Sequence, residues 1–140
     1  MIDFDNQTDF ELDLKELEDI VKFLTNNSFE LILVDNKTIQ EINKEYRNID
    51  KPTDVLSFPL DMVCDDMLMG SIIISVDKVK EGSKLYNHSE LDELKLLLIH
   101  GLLHLLGYDH EVDNGEMRTK EEEIIRYFKL PKSLIIRTGE

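Results

Sequence analysis

The sequence predicts a single α+β domain, residues 1–140, in which a small mixed β-sheet is packed with helices and a metal site lies at the end of a buried central helix. Three observations carry this. Apolar spacing alternates between extended and helical periods in the order β, α, β, α, β, β, α, α, α. The segment from Leu94 to Leu106 is apolar on nearly every side, as a helix enclosed in the middle of a domain must be. At 140 residues and 16.4 kDa the chain is long enough to bury one core without staples, and short for two.

A short strand is expected at Ile2 to Asp5. Leu14, Leu17, Ile20, Val21 and Leu24 then repeat at helical spacing, and Asn26-Asn27 ends the run. Phe29 to Val34, with its continuous Leu31-Ile32-Leu33-Val34, is a strand covered on both faces. Asp35 or Asn36 caps a second helix whose buried side is lined by Ile39, Ile42 and Tyr46, and which ends before Pro52. Pro52 and its polar neighbours form a turn into a strand at Val55 to Phe58. Asp61 to Met69 reads as a polar loop. A β-branched strand follows at Gly70 to Val76, and Asp77 caps a helix through Val79 to Tyr86 with Gly82 as its weak point. Ser89 stands in front of the central helix. Gly115 opens a last helix that packs through Ile124, Ile125 and Phe128 and stops at Leu130-Pro131, leaving Lys132 to Glu140 as a short tail.

Composition narrows the function. Thirty Asp and Glu against sixteen Lys and Arg give a net charge of −14, which repels nucleic acid and membrane surfaces at long range. The charge is uneven: eight acidic residues and one Lys lie between Asp3 and Asp19, four basic residues and one Glu between Arg126 and Glu140. One face can therefore still attract phosphate. Cys64 is the only cysteine, so no internal disulfide forms and a bystander role suits it. The start, Met1-Ile2-Asp3-Phe4-Asp5, lacks the basic and long apolar regions of a signal peptide, and no apolar run is long enough to span a bilayer. A soluble, cytoplasmic protein with no membrane partner is expected.

Three of the four histidines fall in the stretch His100 to His110. Four residues apart on a helix, His100 and His104 project from one face. Gly107 follows where a left-handed residue would end the helix and turn the chain, so that His110 folds onto the same ion. This is the H-x-x-x-H-x-x-G-x-x-H spacing of the metzincin zinc enzymes, and it makes His100, His104 and His110 candidate metal ligands. Three protein ligands leave tetrahedral Zn²⁺ one open position, the mark of a catalytic site. One Zn²⁺ per chain is expected, although imidazole also suits other divalent transition metals. In zinc proteases a Glu follows the first His as general base. Here that residue is Gly101, which argues against peptide hydrolysis. Outside this stretch, His88 with Ser89 reads as a capping or supporting pair, and Glu121-Glu122-Glu123 as a solvated face or partner of the helix dipole.

The segments Tyr46-Arg47 followed by Asp50, Pro52-Thr53-Asp54-Val55-Leu56-Ser57-Phe58, and His100-Gly101-x-Leu103-His104-Leu105-x-Gly107-Tyr108-Asp109-His110 together resemble the YbeY family, bacterial metal-dependent endoribonucleases that act as ribosomal RNA maturation factors. The resemblance runs through most of the chain. It implies that Arg47 is the catalytic arginine close to the metal, whereas the residues alone favour a surface ion-pair partner of Glu41 or Asp50. Asp54 either orients a ligand or Arg47, or caps a turn. Two positions depart from the family pattern: Ser71 replaces an acidic residue, and Asp92 a commonly basic one.

The expected activity is hydrolysis of a phosphodiester in single-stranded RNA, in maturation of the 3′ end of small-subunit ribosomal RNA and in ribosome quality control, with the small subunit and its assembly factors as partners. The base would be hydroxide generated at zinc, or Asp109 beside the third ligand. Two rivals remain: a metzincin-like metalloprotease, favoured by the ligand spacing and opposed by Gly101, and a non-catalytic ribosome-assembly factor whose zinc is structural.

Overall fold

Phe29, Leu31 and Leu33 alternate along strand β2 (Ser28–Val34) and all are fully buried, which marks β2 as interior to a sheet with a helical layer against it. In the computed structural model, which describes residues 2–59, 68–108 and 115–131, β2 is flanked by β1 (Ile2–Asn6) and β4 (Leu68–Ser75), both parallel to it. The fourth strand, β3 (Val55–Pro59), pairs antiparallel with β4 and closes the order β1-β2-β4-β3. The sheet is therefore mixed, as expected, with an antiparallel edge. Ile2 lies beside Phe29, Leu31 beside Ile72, and Ile72 beside Ser57.

Five helices complete the described residues: α1 (Lys15–Leu24), α2 (Asn36–Arg47), α3 (Val76–Leu85), α4 (Glu90–Leu105) and α5 (Glu116–Tyr127). All nine elements fall in the predicted order. One sheet face carries the main core, where Leu31, Leu33, Ile72 and Ile74 meet Leu17 and Val21 of α1, Val79 of α3, and Leu94, Leu98 and Leu102 of α4. On the opposite face Val34, Leu56 and Ile73 pack against Ile39 of α2. A third cluster joins Ile20 of α1, Ile99 and Leu103 of α4, and Met117 and Ile124 of α5. Helix α4 is thus enclosed by the sheet, α1, α3 and α5, which is why its sequence is apolar all round.

Local chemistry explains the helix ends. The Asp35 carboxylate accepts the Thr38 N–H at 2.8 Å and starts α2, and Asn48, left-handed with φ 58°, ends it. At α3 the expectation is corrected: Ser75 is the cap, and Asp77 sits in the first turn, where its carboxylate accepts the Asn36 N–H at 2.8 Å. It thereby ties α3 to the start of α2. A second correction concerns Tyr46, expected on the buried side of α2. It is 66% exposed, because the last turn of α2 lies over edge strand β3, beyond which no further strand is paired among the described residues; Asn43 takes the inner position and donates to Lys51 O at 2.9 Å. Cys64, most of the loop assigned to Asp61–Met69, and the tail from Lys132 lie outside the described residues.

Candidate metal centre

The site is built on α4. Ser89 caps it by accepting the Asp92 N–H at 3.0 Å, as the sequence suggested, and the acidic Asp92 then lies in the first turn, where the helix dipole favours it. At its middle the helix lies flush on the sheet. A Cβ on Gly101 would stand 2.9 Å from Ile72 Cγ2 and 3.2 Å from Ser57 Oγ, and the Ser57 hydroxyl donates to Gly101 O at 3.1 Å. Position 101 therefore faces strands β3 and β4. The helix ends at Leu105, and Gly107 adopts φ 101°, the left-handed turn that the spacing required.

His100 and His104 emerge from α4 with ring centroids 4.7 Å apart and planes at 76°. Their Nε2 atoms approach to 3.1 Å. Two nitrogens bound to one tetrahedral zinc at about 2.0–2.1 Å are separated by about 3.3 Å, so this pair has the spacing of two ligands of a single ion. The remaining candidate ligand, His110, and the candidate base Asp109 lie outside the described residues, and among those described no group of three or more metal-ligating side chains occurs.

The far side of His100 is set by a residue the sequence reading misplaced. Glu121, expected on a solvated face, is 2% exposed, and its Oε1 lies 3.0 Å from His100 Nδ1. A carboxylate accepts, so Nδ1 carries the proton and the Nε2 lone pair is directed toward His104. This carboxylate–imidazole arrangement fixes ring orientation and raises the basicity of a ligating histidine. The signal was present in the phase of α5. Met117, Glu121, Ile124 and Ile125 are all buried at helical spacing, and a carboxylate in a buried stripe requires a partner. Its neighbours behave as expected, with Glu122 reaching Arg118 at 3.5 Å and Glu123 reaching Lys120 at 3.3 Å on the surface.

Arg47 lies at the last turn of α2, against the edge strand. Its Nη2 donates to Ser57 O at 3.2 Å, and its Cζ stands 5.7 Å from the centre of the Phe58 ring. Asp50 instead lies 3.9 Å from Lys44. One strand residue therefore bridges the two candidate components: Ser57 holds Arg47 through its carbonyl and α4 through its hydroxyl, one residue after His100. Asp54 Oδ1 lies 2.8 Å from Val55 N, and its carbonyl accepts Ser75 N at 2.9 Å. Ser71 donates to Glu30 Oε1 at 2.8 Å. His88 belongs elsewhere: it pairs with Glu93, about 10 Å along α4 from His100.

Comparison with known proteins agrees with this architecture. A family model described as Endoribonuclease YbeY matches residues 2–129. An endoribonuclease YbeY of Aliarcobacter butzleri is 62% identical over 140 residues, covering 99% of this chain and 100% of that protein. One from Nautilia profundicola is 58% identical over 140 residues, covering 100% of both. The solution structure of a Thermotoga maritima protein superimposes with a TM-score of 0.64 at 32% identity, covering 96% of this chain and 89% of that one. With a family match over nearly its whole length and relatives aligned end to end, the chain belongs to the endoribonuclease YbeY family.

Proposed function

We propose that the protein is a single-strand-specific, metal-dependent endoribonuclease that acts in ribosomal RNA maturation, at the 3′ end of small-subunit RNA, and in ribosome quality control. The observation that carries the metal is the pair of Nε2 atoms at 3.1 Å, with His100 held from behind by the buried Glu121. His100, His104 and His110 would hold one Zn²⁺, which when bound acidifies water and polarises a phosphoryl oxygen. Glu121 keeps the proton on His100 Nδ1 and fixes the ring. Arg47, steadied by Ser57 O, presents its guanidinium fork to the phosphate and stabilises the negative charge that builds on its oxygens. Position 101, turned toward Ile72 and Ser57, leaves no room for the glutamate base of a zinc protease, which favours phosphodiester over peptide substrates. Its partners are single-stranded RNA, ribosomal RNA precursors and the small subunit with its assembly factors. The protein works in the cytoplasm; among the described residues no helix is long and apolar enough to cross a membrane.

The test compares wild type, chelator-stripped protein and Arg47→Ala for metal content and for cleavage of single-stranded RNA. Wild type should hold about one zinc and cut. Stripped protein should not cut, and Arg47→Ala should keep its zinc while losing on the order of 10²-fold or more in kcat/KM. Zinc without RNA cleavage in any arm would move the reading to a non-catalytic assembly factor.

A further inference from the structure

Tyr46 is the most exposed aromatic residue among those described, left in solvent where α2 overhangs the edge of the sheet. A tyrosine that is 66% exposed leaves most of a large apolar ring in water, yet this ring is not loose. It meets Phe58 edge-on, with centroids 5.6 Å apart and planes at 62°. The same Phe58 ring carries the Arg47 guanidinium at 5.7 Å. Neighbours in sequence, Tyr46 and Arg47 are therefore held by one ring at the free edge of β3, and Ser57 of that strand is bonded to the helix of His100 and His104. A cation beside an exposed aromatic face matches the two parts of a nucleotide, an anionic phosphate and a flat base.

We infer that Tyr46 is a substrate-binding residue that stacks an unpaired base of single-stranded RNA while Arg47 engages the adjoining phosphate. The inference rests on the endoribonuclease reading. Electrostatics make it necessary as well as geometric: with a net charge of −14 the chain has little long-range attraction for RNA, so affinity must come from short-range contacts. Stacking provides one that tolerates any sequence, since every base has a π-face. It also selects for single strands, because bases in a duplex are already stacked. A second aromatic surface, Tyr127 with Phe23 at 4.5 Å, is the natural rival. There the neighbouring cation, Lys120, is engaged by Glu123 at 3.3 Å, which places a carboxylate where a phosphate would have to sit.

The experiment measures kcat and KM of the zinc-loaded protein on short single-stranded RNAs, intact and with single bases removed, for wild type, Tyr46→Ala, Tyr46→Phe and Tyr127→Ala. Tyr46→Ala should raise KM about ten-fold with kcat within about two-fold, and Tyr46→Phe should restore the wild-type KM. On an RNA abasic at one position, wild type and Tyr46→Ala should have the same KM. An unchanged KM in Tyr46→Ala, a loss of kcat shared by the Phe variant, or a raised KM in Tyr127→Ala alone would overturn the assignment while leaving the endoribonuclease reading in place. Wild type that cuts no RNA would overturn both.

Discussion

Helix α4 carries a histidine–carboxylate pair at each end, and the two pairs differ in the exposure of the imidazole. At the amino end His88 Nε2 lies 2.6 Å from Glu93 Oε1, with the side chains 2% and 1% exposed. Toward the carboxyl end His100 Nδ1 lies 3.0 Å from Glu121 Oε1, with the carboxylate 3% exposed but the imidazole 29% exposed. Near the first pair the protein closes around it: the Tyr86 ring stacks on His88 at 6.2 Å and 11°, and a Cβ at Gly82 of α3 would stand 2.5 Å from Glu93 Oε2. At the second, the other imidazole nitrogen faces His104. The same two groups thus fasten the α3–α4 connection to α4 in one place and orient a partly exposed imidazole facing a second histidine in the other. Burial of the imidazole decides which.

The largest effect expected from this contrast is on stability. His88→Ala leaves the Glu93 carboxylate enclosed without its imidazole, which costs about 3–5 kcal/mol and lowers Tm by roughly 10 °C or more. The variant that remains folded at low temperature should bind metal as wild type does. Thermal melts paired with metal analysis check this. Loss of metal in folded His88→Ala would mean that the two ends of α4 are one unit.

Glu121→Gln probes the other pair and should act on metal rather than on folding. The amide retains volume and an acceptor oxygen for His100 Nδ1 but loses the negative charge that raises the basicity of the ring. Affinity for zinc should fall about 10- to 100-fold, read by competition with a chromophoric chelator. The melting temperature of metal-free protein should move far less than in His88→Ala. A large fall in stability with unchanged metal affinity would make Glu121 a second fastening and remove the distinction.

How much of this contrast could be read in the amino-acid order follows from the range of the interactions. The nine elements and their sequence were legible because each rests on a local period, and Gly107 because one left-handed residue must end a helix there. The two facing histidines follow from i, i+4 spacing alone. Glu121 was misplaced because three consecutive glutamates read as a composition, whereas their phase against Met117 and Ile124 singles out the first. Tyr46 was misplaced for the opposite reason: its phase is correct, but the end of α2 overhangs the edge of the sheet, and strand order is a tertiary fact. The bridge from Arg47 through Ser57 to Gly101 likewise needs β3 laid against α4, and no local pattern announces it.

Asp35 extends the series to a carboxylate lying wholly at the surface, and its effect should be the smallest. The Thr38 backbone N–H, then the Thr38 hydroxyl, holds its carboxyl below the ordinary value of 3.8. A carboxyl that ionises more easily in the folded protein stabilises it above about pH 4, and that contribution is lost as pH falls through the lowered folded value. Ser75 and Ser89 perform the same capping at α3 and α4 with a hydroxyl that does not titrate. Asp35→Ser should therefore keep α2 capped and melt close to wild type at pH 7, while the difference between the two proteins changes only below about pH 4. Melting curves of both from pH 7 to pH 2 check this. Curves that stay parallel into acid would show that an exposed cap carboxylate contributes no more than a hydroxyl, and that among the carboxylates compared, burial with a histidine is what makes the charge matter.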